Sequence, residues 1–223
     1  MRPGCLWHTP TTEDADWLFV VGASFLAAVC TTNTTSTTAT IGGHPLALSD
    51  PTRSVIESLW VRVDEPGVAI EEIVGTMPLG AEGGVRSFAI VTFGDQPAPD
   101  QTDRTVTAVV RGSAVVDVFS VGGSRRFSSG GVQPWMLADF RSVTAVTLGG
   151  GDQPTQPMAV LGRAALPFAG GVVRGQRMLW SLQPLTFASA EFSADADAGE
   201  AADRADATQV EGDARDAVDD ASA

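Results

Sequence analysis

The residues of this chain whose type and setting could do chemistry are His8, His44, Cys5, Cys30, Ser24 and the acidic doublets Asp64-Glu65 and Glu71-Glu72. A histidine acts as a general base when a nucleophile or a carboxylate stands within hydrogen-bond reach. Neither His8 nor His44 has such a partner at catalytic spacing, and His44 lies in a Gly-Gly-His-Pro turn, so both read as surface or turn histidines. Ser24 sits in Val-Gly-Ala-Ser-Phe, without the glycine that follows the serine of a nucleophile elbow. Acid pairs are the raw material of glycoside hydrolysis, but that chemistry depends on their separation in space. Here Asp64-Glu65 precedes Pro66-Gly67, and a turn accounts for the pair.

Metal chemistry is equally short of ligands. Two cysteines and two histidines cannot assemble a zinc knuckle or an iron–sulfur site from local spacing. Asp195-Ala-Asp197-Ala-Gly199 lacks the remaining ligands of a calcium loop and reads as part of a solvated acidic segment. Cys5 and Cys30 flank an apolar run; antiparallel strands can bring them together, although two thiols buried as small hydrophobes is the commoner arrangement. Their pairing and the redox compartment stay open.

The missing residue types exclude further classes. There is no lysine and no tyrosine, and Asn33 is the sole asparagine. A chain without lysine has no Walker-type phosphate loop, no Schiff-base nucleophile and no pyridoxal-phosphate anchor. The joint scarcity of three residues with AT-rich codons is the signature of a GC-rich genome. The expectation is a protein with no catalytic residues, no cofactor and no metal.

Formal net charge is −13 over 223 residues, which argues against a surface that neutralises nucleic-acid phosphates. Residues 191–223 hold 11 acids and two arginines, so the preceding 190 carry only −4. The chain is expected to divide into a folded domain over 1–192 and a disordered acidic tail over 193–223, where large apolar residues are too few to offset ordering entropy.

The strongest apolar run, Trp17 to Cys30, is 14 residues long, short of the roughly 20 that a membrane-spanning helix needs. Glu13, Asp14 and Asp16 stand where a signal peptide has basic residues, and Val29 occupies a position where a lipobox has a small residue. No membrane insertion, export signal or acylation is expected, and the run reads as a buried strand. The Asn33-Thr34-Thr35 sequon reads as a polar loop.

The elements that position these residues are short, β-branched segments separated by glycine pairs and proline turns, which indicates an all-β chain. Strands are predicted at Leu6–His8, Trp17–Val29, Thr38–Ile41, Ser54–Val63, Ala69–Val74, Val85–Thr92, Thr105–Val110, Ala114–Val121, Arg125–Ser128, Ser142–Leu148, Met158–Leu166, Arg177–Ser181 and Thr186–Phe192. Within Ile56–Val63 both alternating faces are partly apolar, as in a strand near the centre of a sheet. Asp117 falls on the otherwise apolar face of Val115–Val121, which places it near a sheet edge or at a turn cap. The glycine pairs, from Gly42-Gly43 to Gly170-Gly171, have no phosphate-loop spacing and read as hairpin turns. About a dozen strands close most naturally into two antiparallel sheets.

Several segments in order, CLWHTP, DWLFVVGASF, ATIGGHPLALSD, ESLWVRVDEPGVA, RSFAIVTFGDQP, SAVVDVFSVGG and MLWSLQP, resemble a family of jelly-roll-type β-sandwich domains. Those domains occur in virion structural proteins of tailed phages and in large bacterial surface or secreted proteins. The resemblance covers roughly residues 5–190. It implies a two-sheet antiparallel jelly-roll-like β-sandwich used for display, decoration or attachment, with no catalytic residues. An abrupt start without a leader favours a virion component assembled inside the cell over a surface or secreted adhesin.

The residues expected to touch partners are Trp135, Arg125 and Arg126. Trp7, Trp17, Trp60 and Trp180 lie in or beside predicted strands and read as core. Trp135 follows Pro134 in a loop, where an exposed ring can stack on a sugar or enter a neighbouring subunit, against the plainer reading of local packing. Arg125-Arg126, the sole basic doublet, reads as a solvated hairpin that can meet an acidic partner. The expected role is a non-enzymatic virion structural protein, a decoration, fibre or tail-associated subunit, acting through protein contacts in an oligomer or larger assembly. The alternative is a carbohydrate-binding or adhesive module, and a hydrolase on the same scaffold ranks third.

Overall fold

The structure is a computed structural model that describes residues 4–10, 17–31, 50–79, 84–94, 103–150 and 165–183. The strands expected at Thr38–Ile41 and Thr186–Phe192, most of the one at Met158–Leu166, His44 and the acidic tail lie outside the described residues. Antiparallel β-structure dominates. Eleven strands form one continuous sheet: β1 Cys5–Thr9, β2 Trp17–Val21, β3 Phe25–Cys30, β4 Phe88–Phe93, β5 Arg104–Arg111, β6 Val115–Ser120, β7 Gly123–Ser128, β8 Met136–Gly149, β9 Leu166–Pro167, β10 Gly171–Gly175 and β11 Arg177–Ser181. Their order is β10-β2-β3-β4-β5-β8-β11-β1-β9, with the β6–β7 hairpin branching off β8.

The sheet curls into a half-barrel, and the long β8 takes different neighbours along its two halves. Its first part, from Met136, pairs with β5, and its second part, to Gly149, lies between β6 and β11. The register with β5 shifts between Arg104 and Val106, the register with β6 shifts at Phe119/Ser120, and Ser142 between them has φ 56°. Such bulges bend a strand and raise its twist. The concave interior is one apolar cluster to which β2, β3, β4, β5, β6, β8 and β11 all contribute, with Phe19, Val91, Val110, Leu148 and Trp180 among its members.

The other face of β2 to β5 is covered by two helices, α1 Asp50–Val61 and α2 Ile70–Gly75. Val20, Phe25, Ala27, Val29, Phe88 and Ile90 turn towards them and meet Val55, Leu59, Ile70 and Ile73. Strands covered on both faces read as unbroken apolar runs, which is why Trp17–Cys30 lacks polar alternation. That run is buried as expected, but as a hairpin: Gly22-Ala23-Ser24 turns between β2 and β3, and the Gly22 amide donates to the Phe25 carbonyl at 3.0 Å.

The strands expected at Ser54–Val63 and Ala69–Val74 are helical instead. Val55 and Leu59 are four apart and fully buried, and Ile56 and Val63 pack beside them, so the burial has helical period. Pro51 fits the first turn of a helix, where no amide partner is needed. Trp60, expected in the core, is thereby turned outward and is 54% exposed.

Candidate functional site

The two ends of the sheet, β9 and β10, are consecutive in the chain and meet across a seam. At one end the seam is tied shut: the Gln176 amide donates to the Thr9 carbonyl at 3.0 Å. A Cβ at Gly175 would stand 2.7 Å from the same oxygen, so glycine lets β10 leave the sheet against β1. Towards Gly171 and Cys5 the seam opens into a groove of about 820 Å³. Its walls are residues 4–7 before and within β1, the β2–β3 turn, the exit of α1 and the connection from Pro167 to Gly171. Among the described residues three aromatics line it, Trp7, Trp60 and Phe168, and Asp64 is the only formally charged one.

The position of Trp60 and Asp64 follows from a polar clamp between the α1 exit and the β2–β3 turn. The Ala23 amide donates to the Val63 carbonyl at 2.6 Å. The Ser24 hydroxyl donates to the Glu65 carbonyl at 3.1 Å and accepts from the Val68 amide at 3.3 Å. Ser24 is thus a structural tie across 44 residues of sequence. Nearby, Arg62 bridges Glu65 at 3.4 Å and Glu72 at 3.0 Å. One residue from each acidic doublet is therefore neutralised by the same guanidinium.

The expected contact residues do not form one site. Trp135 is half-buried after the cis Gln133–Pro134 bond and packs into the helix-side cluster, lining a cavity of about 220 Å³ with Ile70, Val74, Met77 and Leu137. Arg125 is exposed on β7. Arg126 corrects the solvated reading of the doublet: its Nε and Nη2 donate to the two carboxylate oxygens of Asp117 at 2.7 and 2.9 Å. Asp117 is 2% exposed and lies on β6 between β7 and β8, so the expectation of a sheet edge or turn cap is also overturned. The cross-strand register that sets Asp117 opposite both Arg126 and Thr147 makes a buried carboxylate tenable, and the Thr147 hydroxyl adds a contact at 3.4 Å.

His8 departs from the surface or turn reading as well. It sits on β1 paired with Met178 and Leu166, and its ring meets Phe168 edge-on at 5.5 Å. The residue is buried and Nδ1 has no hydrogen-bond partner. Burial pushes its pKa below the ordinary 6.5, opposed by a hydrogen bond with the Leu166 backbone. Cys5 and Cys30 are both free thiols, on β1 and β3.

Trp60, Trp7 and Phe168 are not legible as groove residues: a two-residue period around Trp60 points it into a core, and nothing local brings β1, α1 and residues 167–171 together. No family model, curated protein or solved structure matches this chain. Among the described residues no helix is long and apolar enough to cross a membrane, which leaves open what strands can do.

Proposed function

We propose that this chain is a non-enzymatic structural subunit that works through protein contacts, as a decoration, fibre or tail-associated component of a virion, on a jelly-roll-like sandwich. The curled antiparallel sheet around one interior supports the scaffold part of this reading. The observation that carries the role is the apolar surface flanking the seam. Trp60 and Val61 at the end of α1 are 54% and 77% exposed, Leu166 on β9 is 51% exposed and Val172 on β10 is 39% exposed. Exposed large apolar side chains on the elements that adjoin the seam, with a tryptophan among them, match the composition of a protein interface. Fractionating particles from a producing culture tests the role. The protein should remain with particles through density sedimentation, and recovery only as a free monomer contradicts it.

The second reading, a carbohydrate-binding or adhesive module, is favoured by a different observation: the seam groove is concave, aromatic and carries a carboxylate. Ligand sites combine an apolar lining with a few polar groups in this way. Screening the purified chain against a glycan array tests it; an array without a signal contradicts it.

A further inference from the structure

We infer that the seam groove is a saccharide site whose ligand is neutral, an assignment that rests on the carbohydrate reading and moves its site from Trp135 to Trp60. Its volume, about 820 Å³, lies in the range of roughly 300–1,000 Å³ typical of small-molecule sites. Trp60 lines it while 54% exposed, a costly placement for so large an apolar surface. Phe168 lines it too. Phe168 Cζ and Trp60 Cζ3 are each 3.9 Å from the point a Cβ on Gly171 would occupy. Gly171 has φ 112°, which disfavours any other residue, so the backbone adds no side chain beside the two rings. A pyranose ring has an apolar C–H face that stacks on such a ring and a rim of hydroxyls that needs acceptors.

Charge narrows the class. Among the described lining residues the only formally charged side chain is the Asp64 carboxylate. Phosphorylated, sialylated and uronic ligands would meet repulsion from it, with no arginine among those residues to compensate. An acyl chain would cover the carboxylate without giving it a donor, at a desolvation cost. A compact organic cation suits aromatic rings converging on one point, whereas this groove runs along four chain segments. Sugar hydroxyls supply donors to the Asp64 carboxylate.

The test is calorimetric titration of the full chain with a panel of neutral oligosaccharides, sialylated oligosaccharides and tetramethylammonium, repeated with Trp60→Ala, Trp60→Phe and Trp135→Ala. A neutral saccharide should bind, Trp60→Ala should weaken it by about tenfold or more, and Trp60→Phe should restore part of the loss. Trp135→Ala should leave binding unchanged, and circular dichroism should find all variants folded. If a saccharide binds and only Trp135→Ala weakens it, the groove assignment is overturned while the carbohydrate reading stands. If no saccharide binds, both fall. Binding of tetramethylammonium alone, or of sialylated ligands in preference, also overturns the assignment.

Discussion

At the scale of single residues, the Asp117–Arg126 pair has two unequal partners. The carboxylate is 2% exposed, and the arginine side chain retains 24% exposure. Removing the arginine strands a buried charge with only the Thr147 hydroxyl beside it, so Arg126→Ala should lose about 3–5 kcal/mol of stability. Asp117→Ala leaves a guanidinium that can reach water and should lose only about 1–2 kcal/mol. Chemical denaturation of the two variants measures the difference, and equal losses would contradict the asymmetry. Asp117 was legible as an anomaly on an apolar face, but its partner was not. The pairing depends on cross-strand register, which a turn at Gly122-Gly123 fixes in space and a one-dimensional reading does not.

His8 gives the second residue-scale expectation. Its folded pKa is lowered by burial, so the fold favours the neutral imidazole. The stability this contributes is fully present above the unfolded value of about 6.5 and is lost as pH falls below it towards the lowered folded value. The slope from this one group is at most about 1.4 kcal/mol per pH unit. In urea melts from pH 7.5 to 5, His8→Phe should have a shallower decline than the parent chain. Parallel curves would mean that His8 does not titrate with unfolding.

At the scale of elements, most strands were legible and the helices were not. Phe88–Phe93, Arg104–Arg111, Val115–Ser120 and Arg177–Ser181 lie where β-branched runs between turn residues placed them. Ser54–Val63 misled because Ile, Leu, Trp and Val occur at spacings that satisfy a two-residue and a helical period together. Only the buried pair Val55 and Leu59, with Pro51 opening the segment, separates the two. The distinction is measurable through neighbouring positions. Leu59→Ala should cost about 2–5 kcal/mol because Leu59 is fully buried against β2 to β4. Trp60→Ala, one residue on, should change stability by less than about 1 kcal/mol, since its ring faces outward. A strand with both faces packed would make the two losses comparable. β10 was missed for another reason: its sequence, GVVRG, is glycine at both ends, and Gly175 marks a close approach at the seam.

At the scale of the whole molecule, a sheet that curls but stops short of full closure leaves edges, and the two ends of its main path, β9 and β10, are consecutive in the chain. Edges are where proteins pair or are covered. Closure at Thr9–Gln176 and opening at Cys5–Gly171 leave Trp60 in the wall of one groove, with Val61, Leu166 and Val172 exposed on α1, β9 and β10, the elements that adjoin it. None of this was readable from local sequence, because it depends on contacts between segments more than 100 residues apart. The role proposed for the surface makes one demand: these side chains must lose solvent when the subunit takes its place. Hydroxyl-radical footprinting of the free chain and of purified particles measures that loss directly. The account predicts strong oxidation of Trp60 and Val172 in the free chain and marked protection of both in particles, with Val121 on the distant β6–β7 turn serving as reference. Equal oxidation of Trp60 and Val172 in the two states would contradict it.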